Sequence, residues 1–227
     1  MVNQDIKNLL SHTKNEIECL KKQAQTGEIN KIPLKNTLEN LRSILDYHGK
    51  DISCKLKEKR VVIPDKIYFP YGQRENHFKK SIDKNLPKLK DLNNCLYTVI
   101  ENEQPFKSHD NWIVDLCLLT NEAKHNHLSK TESQKSIVIR QGNSIHIEGG
   151  RNIVLYNNYA NGVRLDDVYV NNNGNVNVVK HSGTTLVIEN RKIMFHGKSV
   201  EVIPFLGRCH EKITTLTYDI TEQLKNF

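Results

Sequence analysis

No stretch of this chain approaches the roughly 20 consecutive apolar residues that a bilayer-spanning helix requires, so no membrane segment is expected. The N-terminus, Met1 to His12, lacks a basic start, an apolar segment and a small-residue cleavage site. It does not read as a secretory leader, and the expected location is the cytoplasm. Cysteines are few and unpatterned: Cys19, Cys54, Cys95, Cys117 and Cys209 are odd in number, widely spaced and without a CxxC. That argues against a disulfide framework and a thiolate zinc site. There is no GxSxG and no phosphate-loop glycine spacing. No metal and no cofactor are expected, since His125 and His127, two apart on a helix, point in nearly opposite directions.

Positive charge is present in excess. Lys and Arg number 33 against 26 Asp and Glu, a formal net charge of +7 that favours an anionic partner. The cations are interleaved with acids, and only Lys55 to Arg60 form a dense cluster, read as a solvated helix end opposing the helix dipole. A chain of 227 residues has room for a domain of ordinary size plus a smaller one.

Apolar periodicity places a helix over Asn3 to Gln25, stopped by Gly27, and a second from Pro33 through Leu34, Leu38, Leu41, Leu45, His48 and Ile52, with Gly49 as its weak point. Val61 to Gln73, with two prolines and a glycine, reads as an extended connection. A short helix follows over Glu75 to Ile82, then one opening at Pro87 and broken at Gln104-Pro105. The helix from Ser108, as N-cap, to Leu128 is apolar nearly all round and ends abruptly in Asn121, Lys124, His125 and His127. From Ser136 the period changes to two, giving six or so short strands separated by Gly142, Gly149-Gly150, Asn161-Gly162, Asn173-Gly174 and Ser182-Gly183. Val202 to Leu224 returns to helical spacing. The fold class expected is α+β: an antiparallel helical bundle over 1–133, a small antiparallel β-domain over 134–200 inserted before the C-terminal helix, and that helix, 201–227, rejoining the bundle.

Several short pieces keep a recognisable order: Asn40-Leu41-Arg42-Ser43-Ile44-Leu45-Asp46, Tyr68-Phe69-Pro70, Gln104-Pro105-Phe106, and Trp112 with Leu116, Leu119, Asn121 and Lys124-His125. Together, over residues 34 to 128, they resemble a family of bacterial proteins whose helical part is similar to the HEPN superfamily, a bundle shared by many prokaryotic ribonucleases, toxins and antiviral effectors. The resemblance implies RNA binding or metal-independent RNA cleavage by a homodimer. Its arginine and histidine pattern falls on Arg42 and His48, the first to hold a phosphate and the second to act as base or acid. Asn121, Lys124 and His125 would line the same cleft.

The chain departs from that pattern at Ser43, where an amide or acid commonly follows the arginine, and at Tyr47, where nearer relatives carry histidine. Six positions along a helix rotate a side chain by about 120°. A dimer cleft would have to gather Arg42 and His48; otherwise Arg42 pairs with Asp46 and His48 sits on the core stripe. Arg140, His146, Arg151, Arg164, Lys180 and His181 on the strand faces make either a basic surface or, given Glu148, Asp166 and Glu189, an ordinary solvated one. The alternative to an RNA-acting protein is a non-catalytic module binding a protein partner in a bacterial defence or stress system.

Overall fold

Asn3 opens helix α1 (Gln4–Thr26) by accepting the Asp5 N–H at 3.0 Å, and Gly27 ends it at φ 94°, a left-handed conformation that glycine adopts without strain. Asn30 caps α2 (Lys31–Glu58) in the same way through the Ile32 N–H, with Pro33 in the first turn, where an intrahelical donor is not needed. The computed structural model describes residues 2–125 and 130–227. Gly49, the expected weak point, lies inside an unbroken α2. A Cβ there would stand 3.4 Å from the Phe69 nitrogen, so the glycine lets the connection after α2 pack close to the helix.

That connection leads to α3 (Glu75–Asn85), longer at its C-terminal end than the spacing predicts. The helix expected from Pro87 is instead two, α4 (Leu89–Leu92) and α5 (Asn94–Asn102). Asn93 separates them: at φ −151° and ψ 84° it leaves helical geometry, and its side chain accepts the Leu96 N–H at 2.9 Å. Gln104-Pro105 does not simply break the chain but starts a single turn, α6 (Pro105–Ser108). The next helix, α7 (Trp112–His125), is capped by Asp110, which accepts the Trp112 N–H at 3.0 Å. Ser108, the expected cap, donates back to the Gln104 carbonyl at 3.0 Å and stays in α6. The predicted continuation of α7 through His127 to Leu128 lies outside the described residues.

Eight strands lie among the described residues: β1 (Thr131–Gln141), β2 (Ile145–Glu148), β3 (Ile153–Leu155), β4 (Tyr159–Ala160), β5 (Val163–Arg164), β6 (Asp167–Val170), β7 (Val176–Val179) and β8 (Thr185–Phe195). β1 starts ahead of Ser136, where the apolar alternation begins, because its first residues pair with β8 while carrying polar side chains. The sheets run β2-β1-β8, β3-β6-β7 and β4-β5, all antiparallel. The β4–β5 hairpin turns through Asn161 and Gly162 at φ 50° and 77°, the positive pair that a two-residue hairpin loop needs.

α8 (Val202–Lys225) packs on α1, α2, α5 and α7. The strands therefore leave the helical part after α7, and the chain returns to it in α8. The larger core joins Leu20, Leu41, Ile52, Phe78, Trp112 and Ile213, and Phe195 at the end of β8 enters it edge-on against Phe205 at 5.8 Å. A second, smaller core unites Ile137 and Ile139 of β1 with Val168 and Val170 of β6. The centre of the helical part is α2, which packs on α1, α7 and α8. α7 is less enclosed than its composition predicts, since Leu118 is half exposed.

Candidate functional site

Arg42 and His48 do not meet. His48 is 1% exposed, and its Nε2 lies 2.8 Å from Thr217 Oγ1 on α8. Burial drives its pKa from 6.5 down to about 4, so the ring is neutral near pH 7. It borders a cavity between α1, α2 and α8, whereas Arg42 borders a different one between α2 and α3. Within the chain, His48 is thus engaged on the α8 side of α2. The paired arrangement expected of Arg42 and His48 is therefore not assembled, and the reason is the helix rotation between them together with the packing of α8.

Arg42 is held from several sides. Nε lies 3.5 Å from Asp46 Oδ2, Nη1 contacts the Cys117 sulfur, and the guanidinium lies 5.0 Å from the Tyr71 ring centroid. Only 11% of the side chain is exposed. Through its other oxygen, Oδ1, Asp46 accepts the Phe69 N–H at 2.9 Å and so fixes the connection between α2 and α3. Asn85 accepts the Tyr68 N–H at 3.0 Å from the α3 side, and Gln104 accepts the Gly72 N–H at 3.0 Å. Gly72 itself leaves no room for a side chain, since a Cβ would fall 2.3 Å from the Phe78 nitrogen. An otherwise irregular segment is thus pinned at three points, with Phe69 buried between them.

The pinned segment forms one wall of a cavity of about 630 Å³, the size of a small-ligand site. Arg42, Tyr68 and Tyr71 stand on one side. Opposite, α3 presents His77, Lys80, Ser81 and Lys84, spaced so that they share one face, while Phe78, Ile82 and Asn85 turn into the core. Asn121 of α7 completes the lining, which contains no carboxylate among the described residues. Lys80 and Lys84 are exposed and form no ion pair among the described residues, unlike neighbouring Lys79, which pairs with Glu75. Around the open volume stand Arg42, Lys80 and Lys84, two tyrosines and the Asn121 amide, groups whose chemistry suits a phosphate with an attached planar group.

Of the residues singled out in the sequence, Arg42 and Asn121 come together here and His48 does not. The side chains of Lys124 and His125 lie outside the described residues. Sequence reasoning missed His77, Lys80 and Lys84, although their spacing of three, four and seven was readable. The helix was ended at Ile82, before Lys84 could join the row. Asp46, Phe69, Gln104 and Asn121, scattered pieces in the sequence, all touch this connection or its cavity.

The strand faces are less open to a ligand. Asp167, 5% exposed by side chain, binds both Arg164 and His181 at 3.0 Å, so these two side chains are already engaged with an acid of the same sheet. Burial penalises the Asp166 carboxylate, but the N–H groups of His181, Gly183, Ser182 and Thr185 at 2.6–3.1 Å outweigh it and hold its pKa below the usual range. This cluster ties the loop before β8 to β6. Among the described residues no group of three or more acidic, histidine or cysteine side chains converges as a metal site, and no helix is long and apolar enough to cross a membrane. Compared with known family models, curated proteins and solved structures, the chain gives no match.

Proposed function

We propose that this protein binds single-stranded RNA in the cavity between α2 and α3. The observation that carries the reading is the carboxylate-free lining among the described residues, in which Arg42 is locked against Tyr71 and faces Lys80 and Lys84. Cations track a phosphate backbone, and tyrosine faces stack bases with little sequence preference. The reading includes a HEPN-like helical bundle, a homodimer and a cytoplasmic setting. Its supports are the resemblance over residues 34 to 128 and the five free cysteines, which suit a reducing compartment. A cleavage step through His48 forms no part of it, since that ring is enclosed and turned toward Thr217.

Titration of a fluorescein-labelled, unstructured RNA oligonucleotide, followed by anisotropy, tests the assignment. Lys80→Ala/Lys84→Ala weakens binding by about tenfold or more, whereas unchanged affinity overturns the site. One feature favours a protein partner as the second reading: Val154, Tyr156, Tyr159 and Val163, from β3 to β5, are all more than half exposed. If this face joins two copies of the chain, Tyr156→Ser/Tyr159→Ser converts a dimer to monomer in sedimentation equilibrium. An unaltered mass removes the face from the interface.

A further inference from the structure

The cations of the α2–α3 cavity stand at two depths. Lys80 and Lys84 are exposed at its rim, whereas Arg42 lines its inner part beside the buried Phe69 and Asn85, with only 11% of its side chain exposed. Arg42 turns Nε toward Asp46 and Nη1 toward the Cys117 sulfur, but Nη2 makes no hydrogen bond among the described residues. Nor is Nη2 sealed off, since the fully enclosed side-chain atoms without a partner belong to His48, Gln141 and Arg164. It is the innermost donor that this lining leaves unused.

The charges set what can reach it. Lys80 and Lys84, four apart on α3, share one face and repel each other, a cost that an anion between them relieves. Asp46 offsets part of the Arg42 charge from 3.5 Å but does not line the cavity. Between two and three positive charges are therefore left to a ligand. An internal phosphodiester brings a single negative charge and drags the strand in on both sides of it. A phosphate monoester at a strand end brings about 1.5 to 2 negative charges at neutral pH and presents three oxygens on one stem. Size points the same way: a groove that tracks a strand covers roughly 4–16 nucleotides, whereas about 630 Å³ is the volume of a single small-ligand site.

We propose that the α2–α3 cavity takes the end of an RNA strand by its terminal phosphate monoester. The phosphate passes between Lys80 and Lys84 to Arg42 Nη2, and the terminal base stacks on the half-exposed Tyr68. The monoester and the phosphodiester next to it together match the charges of Arg42, Lys80 and Lys84. This inference rests on the reading of the cavity as an RNA site and adds which part of the RNA enters it.

The test uses the full chain and three unlabelled oligonucleotides of one unstructured sequence, carrying a 5′-phosphate, a 3′-phosphate or hydroxyls at both ends. Each displaces the same fluorescein-labelled RNA in an anisotropy competition. A phosphorylated end, 5′ or 3′, tightens binding by about tenfold over the hydroxyl form, the worth of one added charge-assisted contact, and the two phosphorylated strands identify which end is taken. Lys80→Ala/Lys84→Ala, at exposed positions whose truncation leaves the fold intact, narrows that preference to within about twofold. Equal displacement by all three strands overturns end recognition and leaves RNA binding in the cavity standing. A preference undiminished by the double substitution places the phosphate elsewhere and overturns the proposal. If the labelled RNA does not bind at all, end recognition and the RNA reading fall together.

Discussion

Replacing Asp46 with alanine removes the group that ties Arg42 to the connection after α2. The Phe69 N–H, in a residue 1% exposed, loses the carboxylate oxygen at 2.9 Å and has nowhere else to donate. Loss of a hydrogen bond to a charged acceptor, with the buried donor left unpaired, costs about 2–3 kcal/mol. The contact with Arg42 is longer, 3.5 Å, and Asp46 is 29% exposed by side chain, so it adds less than about 1 kcal/mol. The sum, about 3 kcal/mol, corresponds in a chain of this size to a fall in Tm of about 6–12 °C. Asp46→Asn keeps a carbonyl acceptor for Phe69 and gives up only the charge, so it costs about 1 kcal/mol. Urea denaturation of both variants measures the difference. A cost below about 0.5 kcal/mol for Asp46→Ala, or equal costs for the two, would falsify the claim that this carboxylate pins the segment.

Two further perturbations probe the same packing. Gly72→Ala drives a Cβ to within 2.3 Å of the Phe78 backbone nitrogen, which no rotamer relieves; the expected loss is about 2 kcal/mol or more in urea denaturation, and a near-neutral result means that α3 can shift away. Acid should destabilise the protein through His48. The unfolded chain binds the proton at the ordinary pKa of 6.5 and the folded chain only near 4, so the unfolded state carries more protons between those values. The histidine's stability contribution is intact above about pH 6.5 and falls by about 3 kcal/mol as the pH drops toward 4. The gap between wild type and His48→Gln should shrink over that window, and a constant gap contradicts a neutral buried ring.

The broad order of helices and strands was legible because apolar residues repeat at three and four through Leu34, Leu38, Leu41 and Leu45, then at two through Ile137, Ile139, Ile145 and Ile147. Errors gathered where a local hydrogen bond overrides periodicity. Asn93 divides a helix by capping its second half, and Asp110 takes the cap expected of Ser108. The start of β1 was hidden because Thr131 to Ser133 are held by pairing with β8, which leaves no apolar pattern in the sequence. The candidate site was half legible. Arg42 and Asn121 were singled out, but the fate of His48 depended on α8 arriving from far along the chain, as the His48–Thr217 bond spans 169 positions. No local pattern reports that contact. The row His77, Lys80 and Lys84 was visible as spacing, yet its meaning depended on the connection from Tyr68 to Gly72 being pinned opposite it.

The most direct test of the α2–α3 cavity is the salt dependence of RNA binding. For single-stranded nucleic acid the slope of log affinity against log salt is about −0.7 for each phosphate neutralised. Arg42, Lys80 and Lys84 together therefore predict a slope of about −2, and Lys80→Ala/Lys84→Ala should reduce its magnitude by about 1.4. A slope unchanged by that double substitution, with the fold intact, would place the RNA elsewhere and contradict the account.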